Sequence, residues 1–347
     1  MHHIDALDTM KATGMLLIVY GHVAHATTVS VAPPIYVKQF GVAFFLFASG
    51  YTLARERRSS GEAVIRRLAP VYGYGLGLAL VLSVIGAATG TGLALSNYAP
   101  FAAGANVLLN HFPANPTTWY VGTYVHVLAL WALWLRRITV RPWMIAAAVV
   151  AEIPVRASLI VAGLPYVAYM LITNWAAVFL LGSYCGECAI EPGERNLGTA
   201  LAYAGLLVGA LAAWSFAFRW LIGVVPTFPF MTITNAGAVT SAVLISTGTS
   251  LLYLGPTALT FAVARRFETV PLAGFIARNS LVIFLAHMPV FYVLGPRLSQ
   301  LGLGYAARAG IEFVVCVFGL AAVSEALRAV VRRELVTRRF IMGITQS

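Results

Sequence analysis

Charge is scarce in this chain. Of its 347 residues only 10% are Asp, Glu, Lys or Arg, and acids are the rarer sign, 12 against 23 bases. Soluble domains run nearer roughly a quarter charged. No stretch here is both polar enough and long enough to fold as a separate soluble unit. Cysteine is nearly absent too. Cys185 and Cys188 form a CxxC in SYCGECAIEP, but there is no second pair and no histidine close by. That speaks against a structural zinc site. No βαβ pattern surrounds the pair to suggest a thioredoxin-like redox motif. The net charge of +11 does not point to nucleic acid either. The arginines line no single face or tail but fall in small clusters between apolar runs, as loops on the cytoplasmic side do.

Apolar sequence is what the chain has in excess, at 60% of its residues. Runs of about 17–25 apolar residues, each long enough to cross a bilayer, recur from end to end. The expected fold is an all-α integral membrane protein, a single transmembrane domain over residues 1–347. About ten helices are expected, near 10–29, 36–54, 69–94, 117–135, 142–163, 165–184, 197–217, 237–264, 275–296 and 303–327. With both termini cytoplasmic, the inside carries eighteen basic residues, among them Lys11, Arg57, Arg67, Arg137, Arg266 and Arg333. The outside carries five: Lys38, Arg156, Arg219, Arg297 and Arg308. This orientation satisfies the positive-inside rule. The first run is similar to a signal-peptide core, yet it follows one lysine and two aspartates, so an uncleaved first span is expected. Two outer loops are long: SNYAPFAAGANVLLNHFPANPTT, which has no Lys or Arg, and RWLIGVVPTFPFMTITN, which is rich in proline and aromatics. Both contain short apolar pieces suited to lie at the interface or to dip back in, and aromatic, proline-broken loops of this kind suit either a ring-stacking ligand such as a sugar or an aromatic belt. Gly73, Gly75 and Gly77 read as points of close helix approach.

The first span holds unusual chemistry. Asp8, Lys11 and His22 fall on one helical stripe, with Lys11 and His22 eleven residues apart, roughly 16 Å of rise. Asp8 can pair with Lys11 at i,i+3. An imidazole at membrane depth usually faces a cavity or a partner, and in its neutral form it can act as a general base. A structural histidine bonded to a neighbouring helix is the alternative. His25 lies about 60° off the His22 direction.

Four stretches then appear in order: HIDALDTMKATGMLLIVYGH, FGVAFFLFASGYTLARERR, VIRRLAPVY and RNSLVIFLAHMPVFYVLG, with TTWYVGTYVHVLALW as a looser fifth. Together they resemble the membrane acyltransferase-3 family of bacterial O-acyltransferases. Ala12, Ala43 and Val64 stand where that pattern usually has glycine, an acid and arginine. The resemblance implies transfer of an acyl group, by default acetyl, from cytoplasmic acyl-CoA. The acceptor would be a hydroxyl of an exported or lipid-linked carbohydrate, and the site the bacterial inner membrane. It implies His22 as catalytic base, and Lys11, with Asp8 beside it, Arg66 and Arg67 as the coenzyme A phosphate site. No metal is expected. Candidates for substrate contact or oxyanion stabilisation are Ser49, Tyr51, Trp119, Asn279 and Ser280. His287 is expected to orient a substrate or a partner helix. Glu152 is expected to pair with Arg156 or a histidine, or to line the cavity, and it or Glu312 could orient His22. An acyl-histidine intermediate stays open. So do a transporter with His22, Glu152 and His287 as a proton relay, and an inactive partner in glycan assembly.

Overall fold

The computed structural model describes residues 5–23, 35–90, 95–113, 116–188, 196–222, 227–231, 233, 237–267 and 270–330. Among these the chain is helical, with one isolated backbone bridge between Ile35 and Phe228. The helices are α1 (Asp5–Tyr20), α2 (Val37–Ala54), α3 (Ser60–Ala88), α4 (Tyr98–Ala102), α5 (Asn106–Leu109) and α6 (Trp119–Leu133). They continue with α7 (Pro142–Val161), α8 (Pro165–Met170), α9 (Ala176–Glu187), α10 (Leu197–Ile222), α11 (Ala238–Ala264), α12 (Pro271–Gln300) and α13 (Tyr305–Val330). Local chemistry sets several starts. Pro142, Pro165 and Pro271 open α7, α8 and α12, where a missing N–H costs nothing. The Ser59 hydroxyl caps α3 by accepting from the Glu62 amide.

Helix lies in every one of the ten expected stretches, and among the described residues seven helices are long and apolar enough to span a membrane: α2, α3, α7, α10, α11, α12 and α13. α1 and α6 are shorter, at 16 and 15 residues. The sixth stretch is broken into α8, a 3-10 turn at Ile172–Asn174, and α9. Irregular backbone at membrane depth must find its partners within the protein. Here the Tyr169 carbonyl accepts from the Asn174 amide at 3.1 Å and the Trp175 indole at 2.8 Å. The segment between α3 and α6 packs on the bundle: Phe101, Asn106 and Val107 are buried.

α2 is the axis of the bundle, buried over most of its length. It gets there through glycine. A Cβ on Gly41 would strike the Gly14 carbonyl of α1. A Cβ on Gly50 would strike the Phe179 carbonyl of α9, and one on Gly182 the Phe47 carbonyl of α2. Gly182 and Gly186 form a small-xxx-small pair on α9. The glycines of α3 do not play this part: Gly73 and Gly77 face open space, and Gly75 alone meets Phe101 and Val121. α3 and α10 instead turn apolar side chains outward, such as Val84, Leu206 and Phe216, the surface a lipid-facing helix presents.

A buried polar network braces the far side of α2. Arg156 and Glu152, 1% and 3% exposed, pair across one turn of α7 at 3.5 Å. Arg156 therefore belongs inside α7 and not to an outer loop. Its guanidinium donates to Asn174 Oδ1 at 2.6 Å, the Ser246 carbonyl at 2.6 Å and Ser250 Oγ at 3.0 Å. Glu152 accepts from the Ala177 amide at 2.8 Å and Ser250 Oγ at 2.7 Å. Both members of the pair are thus satisfied, the condition under which buried charge is tolerated.

Two measurements check this packing. Gly182→Leu is expected to lower the unfolding midpoint in detergent by several degrees, at a cost of roughly 1–3 kcal/mol or more, while Gly77→Leu leaves it unchanged. Arg156→Met, which strands Glu152, is expected to cost about 3–5 kcal/mol. Adding Glu152→Leu to it should restore part of that loss, and purely additive losses would contradict the pairing.

Candidate active site

The end of α1 carries the first component. The helix stops at Tyr20, and residues 21–23 form a turn in which the His22 amide bonds the Val19 carbonyl at 3.0 Å. His22 is therefore at the end of the helix rather than its middle, and the tightened turn shifts it off the ideal stripe. His25 lies outside the described residues. At the other end of α1, Lys11 pairs with Asp8 at 3.6 Å, as the i,i+3 spacing predicts.

The second component is α12, whose His287 ring centroid is 5.2 Å from that of His22. His287 Nδ1 lies 2.7 Å from the Phe284 carbonyl and 3.1 Å from the Ile283 carbonyl. Carbonyl oxygens only accept, so Nδ1 carries the proton and the neutral ring keeps its lone pair on Nε2. Nε2 is buried and has no hydrogen-bond partner among the described residues. Proline shapes this turn. Pro289 has no N–H for the carbonyl of Leu285, and Thr117 Oγ1 donates to that carbonyl instead, at 3.1 Å. Behind His287, α13 adopts a π-helical turn at Val315–Gly319, with Cys316 Sγ 3.8 Å from the His287 carbonyl.

Both imidazoles line a cavity with about 40 Å³ of room for a water centre. A single water needs roughly 10–15 Å³ on that measure, so the space suits a few waters or a small group. Ile18, Val42 and Phe284 supply apolar wall, and Trp119, Tyr166 and Tyr169 supply aromatic wall. Trp119 packs on Tyr169 at 4.9 Å between centroids. The remaining wall comes from Thr117, from Lys38 at the start of α2, and from Pro229 and Phe230. These last two are held in place by Gln39. Its amide donates to the Phe228 carbonyl at 2.6 Å, and it accepts from the Tyr253 hydroxyl at 2.6 Å.

Residues 4–324 match a family model described as an acyltransferase domain. The chain belongs to the acyltransferase-3 family. No curated protein and no solved structure matches it. Helices long enough to span a bilayer and this family together make it a multi-pass membrane acyltransferase.

Of the residues singled out in the sequence, the acyltransferase brings His22, Trp119 and His287 to one cavity. Ser49, Tyr51, Asn279, Ser280 and Glu152 do not line it. Ser49 donates back to the Phe45 carbonyl at 2.9 Å. The Tyr51 hydroxyl accepts from Arg55 at 3.1 Å, thirteen residues along α2 from Lys38, roughly 20 Å of rise. Asn279 Nδ2 is taken by Glu325 of α13 at 2.9 Å. Ser280 is half-buried two turns before His287 on α12. Glu152 is held in the Arg156 network, so the relay of His22, Glu152 and His287 is not assembled, and no carboxylate lines the cavity among the described residues.

None of the expected coenzyme A residues, Lys11, Arg66 and Arg67, lines this cavity. Arg67 donates to Thr52 Oγ1 at 3.1 Å and pairs with Glu56 at 3.6 Å, tying α3 to the end of α2. Arg66 is exposed on α3. Burial pushes the Glu56 carboxyl up. The Arg58 amide and the charges of Arg58 and Arg67 outweigh this and hold it below its ordinary value. Lys38, Tyr166, Tyr169, Pro229 and Phe230 were missed as site residues. The aromatic, proline-broken loop hinted at the last two, whereas Lys38 looked like a topological charge.

The Glu56 shift has a signed consequence. A depressed carboxylate contributes stability above its unfolded value, roughly 4, and loses it as pH falls through the folded value. The wild-type unfolding midpoint in detergent is expected to drop on acidification below roughly pH 4, and Glu56→Gln to flatten that part of the profile. An unchanged profile in the variant would remove Glu56 from the account.

Proposed function

We propose that this acyltransferase moves an acyl group, in the simplest case acetyl, from cytoplasmic acyl-CoA to a hydroxyl of a carbohydrate acceptor reached from the opposite side of a bacterial inner membrane. The observation that carries the proposal is the pair of imidazoles 5.2 Å apart in one small cavity with no carboxylate among its described lining residues. Family membership supplies acyl transfer. The resemblance of the four motifs supplies the donor and the acceptor class.

His22 acts as general base on the acceptor hydroxyl. As the hydroxyl oxygen attacks the thioester carbonyl, its proton passes to imidazole, and the resulting imidazolium protonates the departing coenzyme A thiolate. The aromatic wall of Trp119, Tyr166 and Tyr169 presents flat apolar faces on which a sugar ring can stack. Lys11 and Arg67 bind the coenzyme A phosphates at the other end of α1 and α3, with Asp8 and Glu56 as the carboxylates from which they are exchanged. Arg66, exposed beside them, adds long-range charge. A second assignment is favoured by the bare Nε2 of His287: that ring takes the proton and His22 positions the hydroxyl.

The test uses protein in lipid nanodiscs with acetyl-CoA as donor, following release of the coenzyme A thiol. His22→Ala is expected to lower kcat by about 10²–10⁴-fold while coenzyme A still binds. His287→Ala should cost less; the reverse order would make His287 the base. Lys11→Ala and Arg67→Ala should raise the Kd for coenzyme A about tenfold each, and unchanged affinity in both would refute the phosphate site. Solute flux that survives His22→Ala, without acyl transfer, would favour a transporter.

A further inference from the structure

Lys38 is the least economical residue in the cavity wall. It is 8% exposed. Among the described residues no carboxylate pairs with it and no hydrogen-bond acceptor takes its ammonium protons. Its Nζ instead sits over two aromatic faces, 5.4 Å from the Tyr36 centroid and 4.9 Å from that of Phe230. Tyr36 and Phe230 pack on each other at 5.6 Å. Ring faces steady a cation without using its N–H groups. A buried charge without an ionic partner is costly to fold, and a site that keeps one holds a donor ready for negative charge.

The backbone is arranged to bring this charge to the histidines. A Cβ on Gly21 would come within 2.8 Å of Lys38 Cβ. The glycine before His22 thus lets the first turn of α2 close on the end of α1. Lys38, His22 and His287 then share one wall of a cavity in which a bound group can touch all three.

We infer that Lys38 is a further catalytic residue, whose ammonium donates to the oxyanion formed when the acyl carbonyl is attacked. The inference rests on the acyl-CoA reading above. In the first half-step the acceptor oxygen bonds to the carbonyl carbon, the carbonyl π pair moves onto oxygen beside Lys38, and the acceptor proton goes to imidazole. In the second, that pair reforms the C=O bond, the C–S bond breaks, and the thiolate takes the proton back as coenzyme A thiol. Lys38 gains and loses no proton; it holds charge that exists only between the two half-steps. This separates it from His22 and His287, which carry the proton.

The test measures coenzyme A thiol release from acetyl-CoA in nanodiscs with water as the only acceptor. Water carries no anionic group, so a loss seen there reports on the thioester carbonyl and not on recognition of an acidic acceptor. Lys38→Met is expected to lower kcat about 100-fold or more, with the KM for acetyl-CoA within about threefold of wild type. Lys38→Arg, which keeps the charge, should recover at least about a tenth of wild-type kcat. The unfolding midpoint of Lys38→Met should equal or exceed that of wild type, because the variant buries no unpaired charge; a purely structural lysine would show the opposite sign. A Lys38→Met enzyme within threefold of wild type, a loss confined to KM, or an arginine variant as slow as the methionine one would each overturn the role of Lys38 and leave the acyl-CoA reading standing. A wild-type protein that releases no thiol from acetyl-CoA, whether water or a sugar hydroxyl is offered as acceptor, would overturn both together.

Discussion

The backbone-to-backbone contacts of α2 are the constraint on which the rest of the structure depends. Gly41 meets α1 at Gly14, and Gly50 meets α9 at the Phe179 carbonyl. Within lipid, apolar surface offers no net advantage for helix association, so close van der Waals contact and buried polar links must hold helices together. With α2 clasped on both sides, its first turn can fall only where the end of α1 and the 227–231 segment already are. The position of Lys38 beside His22 follows from this spacing, and Gln39, the next residue, anchors Phe228 from the same turn.

A division of labour between polar groups is visible across the bundle. The Glu152–Arg156 network is saturated: carboxylate, guanidinium, Asn174 and Ser250 answer one another. It holds α7, α9 and α11 in register and leaves little for a ligand. The cavity has the opposite character. His287 Nε2 is buried with its bonding capacity unused among the described residues, and Lys38 is a buried residue with no carboxylate partner there. Buried polar groups that are fully paired stabilise, and those left open are where a second molecule is accommodated.

The helical course of the chain was legible in the sequence because apolar runs and their proline and arginine punctuation are local signals. The length of each helix was less so. The α8–α9 segment is broken within its apolar run, where tertiary contacts such as Trp175 to the Tyr169 carbonyl replace helical bonds. His22, His287 and Trp119 could be picked out, as an imidazole in an apolar run, or an aromatic at its edge, is conspicuous. Lys38 could not, because a lysine at the edge of a span reads as a topological marker, and its burial depends on a loop nearly two hundred residues away in sequence. Ser49, Tyr51 and Asn279 looked eligible by type, but their partners are fixed by packing: a carbonyl one turn back, Arg55, and Glu325. The glycine contacts were half-visible. Gly182 and Gly186 carry a small-xxx-small spacing, whereas Gly73, Gly75 and Gly77 attracted notice by density alone.

The hydrogen bond from Thr117 to the Leu285 carbonyl ties the segment before α6 to the turn of α12 that holds His287. It takes the place of a missing rung in the ladder of α12, at the carbonyl next to the two that fix the His287 tautomer. The place of the loop and the aim of the ring are thus set by neighbouring peptide groups of one short chain segment.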